Sequence, residues 1–230
     1  MRAARRRGTR IDLRHVRERL ERGDSLWPAQ AAVAVAIALS FGLSKEVLIG
    51  PRWLLPSVEL VLLAWLVVVA PRRATEHSPG RRRLALTLIA LVSLANVVTL
   101  GLLVHFLING GKVRGHALIL SGTLVWLTNV LLFAVWYWEL DRGGPAARYL
   151  QPDRLPDFQF PQMDNPHLAP EGWRPGFVDY LYTSLTNATA FSPTDTMPLT
   201  PIAKTLMGVQ SLVSLVIAIL IVARAVNILP

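Results

Sequence analysis

The chain has 230 residues, of which 52% are apolar and only 17% are charged, and it carries a net charge of +9. A soluble domain usually has about 25% charged residues, so this composition argues against a soluble enzyme with a solvated surface. The chain has no cysteine, which excludes a disulfide framework, a thiolate metal site and a cysteine nucleophile.

The positive charge is concentrated in two segments. Residues 1–22 contain nine arginines against three acidic residues, and residues 71–83 contain five arginines against one glutamate. Both segments flank long apolar runs, and arginine clusters in that position mark the cytoplasmic side of a membrane. We therefore predict that residues 1–26 form a basic cytoplasmic tail. Because no basic face on a soluble domain is indicated, we do not expect nucleic acid as a partner.

Apolar runs of membrane-spanning character follow the tail. A membrane helix needs about 20 apolar residues, and five segments are predicted to cross the lipid bilayer, of which the first is the shortest. The sequence thus predicts an all-α, polytopic membrane protein with about five transmembrane helices. The five segments are residues 27–43, 53–70, 84–108, 117–140 and 202–228.

Polar side chains inside these spans are candidates for function. Glu59 is an ionisable residue in the second span, although pairing with Arg52 is an equal alternative. Asn96 and Asn129 lie near the middles of the third and fourth spans, where such residues more often bond between helices. In the last span, candidates for pore lining or close helix packing are Gln210, Ser211, Ser214 and Ala218.

Residues 141–175 contain seven prolines, a density that prevents a long helix. We predict an extended, water-facing connection. Residues 177–189 then form a polar segment that is too short to span and is stopped by Pro193. This segment predicts a re-entrant helix whose C-terminal end, near Thr189, points into the membrane. Irregular backbone at that depth must be buried in protein or line a wet cavity.

The C-terminal part resembles the pore module of two-span potassium channels. The matching motifs are Asp-Tyr-Leu-Tyr at 179–182, Ser-Leu-Thr-Asn-Ala-Thr at 184–189 and the inner helix that ends in Val-Ala-Arg at 222–224. The resemblance implies N-terminal membrane helices in 27–116 and a pore-like module in 117–230. It also implies a homotetramer with ions as possible partners. The module divides into an outer helix at 117–140, the connection at 141–175, a re-entrant helix and filter-like loop at 176–198 and an inner helix at 199–229.

The filter-like residues differ from the channel signature Thr-Val-Gly-Tyr-Gly-Asp. Aligned on Asp195, serine and threonine replace the two glycines and Pro193 replaces the tyrosine. Glycine permits backbone angles that other residues resist, and proline fixes φ, so a potassium-selective filter is not expected. The sequence is compatible with two alternatives, a path lined by hydroxyl groups and a closed plug. Asp195 either attracts cations or caps the next segment. The pore-like candidates are Thr186, Thr189, Ala190, Phe191, Ser192, Pro193, Thr194 and Asp195.

Over most of its length the chain also resembles a bacterial family of multi-pass membrane proteins of unknown function. The shared features are a basic N-terminus and a Tyr-x-Ser-x-Thr segment, here residues 182–186, before the last span. That resemblance implies no activity, and we expect the chain in the inner membrane. Five spans place residues 141–201 in the cytoplasm, whereas the pore helix of the resembled channels enters from outside. Either the module is inverted or one span is miscounted.

The five histidines are widely spread and show no metal-binding spacing. No phosphate-binding loop, dinucleotide fingerprint or hydrolase motif occurs, so we expect no metal, no cofactor and no enzyme. The first hypothesis is a channel-like oligomer that passes ions without potassium selectivity. The alternatives are a non-conducting scaffold or accessory subunit, and a small-solute transporter.

Overall fold

The protein is described by a computed structural model, which covers residues 25–44, 51, 53–69, 79–109, 115–151, 153–190 and 195–226. Residues 1–24 of the basic tail, residues 71–78 and the filter-like residues 191–194 lie outside the described residues. Within the described ranges the chain is almost wholly helical. The eight α-helices are α1 Trp27–Ser40, α2 Leu54–Val69, α3 Pro79–Asn109, α4 Gly115–Leu140, α5 Pro145–Leu150, α6 Pro161–Asp164, α7 Phe177–Ala190 and α8 Pro201–Val226.

Three of these helices, α3, α4 and α8, are long and apolar enough to cross a membrane. Helices α1 and α2 are also apolar, but they have only 14 and 16 residues. At about 1.5 Å per residue they rise about 21 and 24 Å, which is less than the hydrocarbon thickness of about 30 Å. The predicted helical protein with membrane-spanning character is confirmed, whereas the count of five spans is not.

Helix α4 is the centre of the bundle, and it contacts α1, α3, α7 and α8. Its antiparallel partners are linked to it by side chains: the Trp136 indole donates to Ser93 Oγ at 3.0 Å, and Asn129 Nδ2 donates to Ser214 Oγ at 3.1 Å. These pairings bring the beginnings of α3 and α8 to the end of the bundle where α4 finishes. We call that end, with residues 141–176, the loop end.

An aromatic cluster closes the core at the loop end. Tyr137, Trp138, Phe158 and Tyr180 are almost completely buried. The ring centroids of Tyr137 and Phe158 are 5.0 Å apart, and those of Phe160 and Tyr180 are 5.3 Å apart in an edge-to-face arrangement. Such pairs contribute beyond simple area burial, so residues 158–160 are fixed against α4 and α7.

Residues 141–175 are more structured than the extended, water-facing connection that the prolines predicted, although residues 153–155, 164–168 and 170–172 are exposed. Pro145, Pro161 and Pro166 each begin a short helical turn, because proline at the first helical position loses no hydrogen bond and has a suitable φ. Helix α5 is largely buried. Proline begins helices here, whereas the proline density alone had predicted only that it would break them.

Helix α7 confirms the helix predicted over residues 177–189. It enters the bundle from the loop end, and the chain returns to that same end. There β2 (Met197–Pro198) pairs antiparallel with β1 (Phe158–Gln159), and Thr183 Oγ1 donates to Thr196 Oγ1 at 3.1 Å. We call residues 177–200 the hairpin, of which residues 191–194 are not described. Helix α8 begins at Pro201, two residues after the predicted start of the inner helix.

The corner after α4 has three consecutive positive φ angles, at Arg142 (52°), Gly143 (80°) and Gly144 (99°). A Cβ at Gly144 would lie 3.0 Å from the carbonyl oxygen of Glu139. We expect Gly144→Ala to lower the free energy of unfolding by about 1–3 kcal/mol because both the angle and the contact oppose a side chain. Thermal unfolding in detergent measures this.

The control for that variant is Gly101→Ala, since Gly101 lies in α3 with open space around its missing Cβ. There alanine should be neutral or slightly stabilising because it favours the helix. Equal melting temperatures for the two variants would contradict the strained corner.

Candidate functional site

A fully buried amide, Gln210 of α8, lies at the centre of a polar network between α4, α7 and α8. Its Oε1 accepts hydrogen bonds from Tyr137 OH at 2.5 Å and from Asn187 Nδ2 at 2.9 Å. Its Nε2 donates to Ser184 Oγ at 2.7 Å and to the Ser184 carbonyl at 3.0 Å. Both the oxygen and the nitrogen of the amide are therefore hydrogen-bonded within the chain.

The network extends from this centre along both long helices. Ser184 Oγ donates to the Val130 carbonyl at 2.7 Å, and Asn187 Nδ2 also donates to the Met207 carbonyl at 3.0 Å. Ser211 Oγ donates to Asn187 Oδ1 at 3.2 Å. We call this set, together with the Asn129–Ser214 pair, the hairpin network; its members are Asn129, Tyr137, Ser184, Asn187, Gln210, Ser211 and Ser214.

The structure thus brings two of the four candidate residues of the last span, Gln210 and Ser211, into one hydrogen-bonded network, while Ser214 bonds Asn129. Ala218 is half-buried and belongs to the packing face of α8. From sequence this stripe was a candidate for helix packing or pore lining, and its contacts in the single chain are those of packing. It did not single out Tyr137 or Ser184, although a serine and an asparagine three residues apart on a short helix are a signal of one polar face.

The pore-like candidates lie apart from that network. The Thr186 hydroxyl donates to the Tyr182 carbonyl at 3.0 Å, and the Thr189 hydroxyl donates to the Leu185 carbonyl at 2.9 Å. Thr189 and Asp195 are exposed in the single chain. The side chain of Ala190 and residues 191–194 are not described, so the filter-like loop stays a prediction.

Glu59 and Asn96 line one small cavity between α1, α2, α3 and α4. Asn129 does not join them, because its side chain is in the hairpin network. Glu59 is 1% exposed. Arg52, the partner considered from sequence, lies outside the described residues, so that pairing stays a prediction.

A larger cavity of about 490 Å³ lies at the loop end, in the segment predicted to be an open connection. Three arginines line it, and its acidic lining residue is Glu171. Apolar lining comes from Met163, Trp173 and several prolines. We call it the arginine pocket; its charged residues are Arg142, Arg148, Glu171 and Arg174.

Contacts with the surrounding chain fix the three arginines. Arg148 is 2% exposed, donates to the Trp138 carbonyl at 2.6 Å and lies over the Tyr180 ring at 5.2 Å. Arg174 donates to the Arg148 carbonyl at 3.0 Å. The Arg142 guanidinium contacts Met163 Sδ at 3.6 Å, and its backbone has the left-handed conformation described above. Strained backbone of this kind often occurs at ligand sites.

The nearby carboxylates have structural partners. Asp141 accepts hydrogen bonds from Tyr180 OH at 2.5 Å and from the Asp157 backbone amide at 2.8 Å. Asp157 accepts from the Arg142 amide and from Thr200 Oγ1, each at 2.8 Å. These two carboxylates therefore hold α4, α7 and α8 together at the loop end.

Sequence reasoning missed the arginine pocket. Its charged residues are spread over more than 30 positions, and no spacing rule connects them. The local signal was Asp-Arg-Gly-Gly at 141–144, because two glycines after a helix indicate a corner with positive φ.

Compared with known protein families, curated proteins and solved structures, the chain matches none. The resemblances to potassium channels and to the bacterial multi-pass family therefore stay predictions. Among the residues that the structure describes, no three histidine, aspartate or glutamate side chains are grouped so as to hold a metal ion.

The hairpin network predicts a large cost for removing its central amide. We expect Gln210→Leu to lower the free energy of unfolding by about 2 kcal/mol or more, because Tyr137, Asn187 and Ser184 lose partners and each orphaned group costs about 1–3 kcal/mol. Denaturant titration in detergent measures the change.

Thr189→Val is the matched control, since the Thr189 hydroxyl bonds only carbonyls of its own helix. It should change stability by less than about 0.5 kcal/mol. A Gln210→Leu variant as stable as Thr189→Val would contradict the role of the network.

Proposed function

We propose that this chain is an inner-membrane protein that binds a phosphate-bearing ligand in its arginine pocket and does not conduct ions as a single chain. In this proposal α1 and α2 cross the bilayer together with α3, α4 and α8, and α7 is re-entrant. The loop end faces the cytoplasm. The arginine pocket is the observation that carries the proposal.

The membrane arrangement is supported by the outer surface of the bundle. Apolar side chains point outward from several helices, including Val68 at 84% exposure, Trp65 at 63% and Leu212 at 65%. An apolar outer face of this kind suits lipid. Both arginine-rich sequence segments join the bundle at the loop end, which favours the cytoplasm for that end.

The chemistry of the pocket favours a phosphate-bearing ligand. The guanidinium group is planar and always charged, and its fork of donors matches the oxygens of phosphate or carboxylate. A volume of about 490 Å³ falls within the usual range for small-ligand sites. Trp173 and the prolines supply apolar wall for the rest of the ligand. Because the pocket is at a membrane end, both a lipid headgroup and a soluble organic phosphate have access to it.

The hairpin network supports the absence of conduction. The polar side chains that α7 turns toward α4 and α8 are bonded to each other and to backbone carbonyls. An ion passing there would have to break several buried hydrogen bonds, each costly to leave unmade. This corresponds to the plug among the hypotheses drawn from the sequence.

A channel-like oligomer is the second candidate, and the outer face of α7 favours it. Val178 is 72% exposed, and Tyr182, Leu185 and Thr189 are exposed on the same short helix. Further copies of the chain around this face would bring Thr186 and Thr189 toward a common axis. The tetramer implied by the channel resemblance is one such assembly.

Binding to the pocket is tested with the full chain in detergent. The probes are glycerol 3-phosphate as a soluble phosphate and, separately, vesicles that contain phosphatidylglycerol. We expect Arg142→Gln and Arg174→Gln each to weaken binding of the preferred probe about tenfold or more, since a charge-assisted hydrogen bond contributes about 1.5–3 kcal/mol.

Arg83→Gln is the control, because Arg83 is exposed at the start of α3 and does not line the pocket. A loss that is equal in the control would indicate general charge attraction and contradict the proposal. Preference for the vesicles would identify a lipid headgroup, and preference for the free phosphate a soluble ligand. Binding of neither probe would overturn the proposal.

Conduction is tested by ion flux from liposomes that contain the purified chain. We expect no flux of sodium, potassium or chloride above that of empty liposomes. Cation flux, together with a cross-linked tetramer through cysteines placed at Val178, would replace the proposal with the channel-like oligomer.

A further inference from the structure

A carboxylate is buried between four helices without a hydrogen bond on one of its oxygens. Glu59 of α2 is 1% exposed, and its Oε1 has no hydrogen-bond partner among the residues that the structure describes. It lines a cavity of about 20 Å³, which is enough for one water-sized species. This group lies far from the arginine pocket and has no part in the function proposed above.

Five of the ten residues that line this cavity carry side-chain oxygen, although most of its lining surface is apolar. Beside Glu59 the lining includes the amide of Asn96 and three hydroxyl groups, from residues of α1, α3 and α4. These residues come from all four surrounding helices. The oxygen-bearing lining residues are Ser40, Glu59, Asn96, Thr99 and Thr128.

Two of these hydroxyl groups donate their protons to backbone carbonyls. Thr99 Oγ1 donates to the Ala95 carbonyl at 2.9 Å, and Ser40 Oγ donates to the Ala36 carbonyl at 3.3 Å. A hydroxyl whose proton is donated elsewhere has only lone pairs to offer. Any contact of these two hydroxyls with Glu59 would therefore be as acceptors, and acceptors repel the oxygens of a carboxylate unless a positive charge lies between them.

The charge of Glu59 has no counterion in the cavity wall. Of the described residues that line it, none is basic. An isolated carboxylate in an apolar interior is very costly, and such a group either keeps a proton or binds a cation. The lone pairs of Ser40 and Thr99 and the free volume favour a cation, while the Asn96 amide can accept or donate.

We propose that Glu59 forms the centre of a binding site for a sodium-sized monovalent cation. Hard cations prefer carboxylate, amide and hydroxyl oxygens. A calcium site usually has several carboxylates and six to eight ligands, whereas this cavity has one carboxylate and room for one small ion. The cation neutralises Glu59 and joins α2 to α1, α3 and α4.

The proposal is tested on the full chain in detergent with radioactive sodium and with thermal unfolding. Choline chloride replaces sodium chloride at constant ionic strength. We expect saturable sodium binding at one site per chain and a melting temperature that rises with sodium concentration. Glu59→Gln should abolish both effects, since it keeps the size of the side chain and removes the charge.

Two further variants distinguish a loss of sodium binding from a loss of folding. Thr128→Val removes one lining hydroxyl while it keeps the shape, and we expect it to fold and to raise the dissociation constant for sodium about tenfold. Asp153→Asn, at an exposed carboxylate, should leave sodium binding unchanged. These outcomes do not depend on phosphate binding at the loop end.

Several results would overturn the cation site. Absence of saturable sodium binding to the unaltered chain would mean that Glu59 holds a proton instead. Sodium stabilisation that persists in Glu59→Gln would place the ion elsewhere. Normal sodium affinity in a folded Thr128→Val variant would exclude that hydroxyl and contradict the ligand set.

Discussion

The arrangement of this chain depends on satisfying polar groups in an interior where water is scarce. Helix α7 is too short to span a membrane, yet it lies between the long helices α4 and α8. A polar group left unbonded in such an environment costs several kcal/mol. Gln210 satisfies this constraint because its amide accepts hydrogen bonds from Tyr137 and Asn187 and donates one to Ser184. One buried amide therefore links α8 to both neighbouring helices, and the position of α7 follows from it.

The loop end is built on that fixed hairpin. Tyr180 of α7 donates to Asp141 after α4, and Thr200 before α8 donates to Asp157. These bonds hold residues 141–176 over the ends of the helices, with the aromatic cluster beneath them. The arginine pocket therefore depends on the same contacts. Its residues are ordered by α4 and α7, although none of them belongs to either helix.

The helices and the buried polar residues were predictable because they depend on local patterns. Apolar runs identified α1 to α4 and α8, and the polar segment between two prolines identified α7. Glu59, Asn96, Asn129 and Gln210 were singled out as unusual in apolar surroundings, but the partners of Asn129 and Gln210 were not. Asn129 and Ser214 are 85 positions apart, and no periodicity connects such residues. The packing of residues 141–175 was missed for the same reason, since it depends on contacts such as that between Phe158 and Tyr180.

The pattern of polar residues in α7 has an explanation that needs no pore. Thr183, Ser184 and Asn187 lie on one side of the helix, and their side chains bond Thr196, Val130 and Met207 in turn. Any short helix buried between longer ones requires such residues, whether or not ions pass beside it. Such polar residues on a short buried helix therefore do not by themselves indicate a pore. They carry no information about the filter, where glycines are needed for a different reason, namely to turn backbone carbonyls toward an ion.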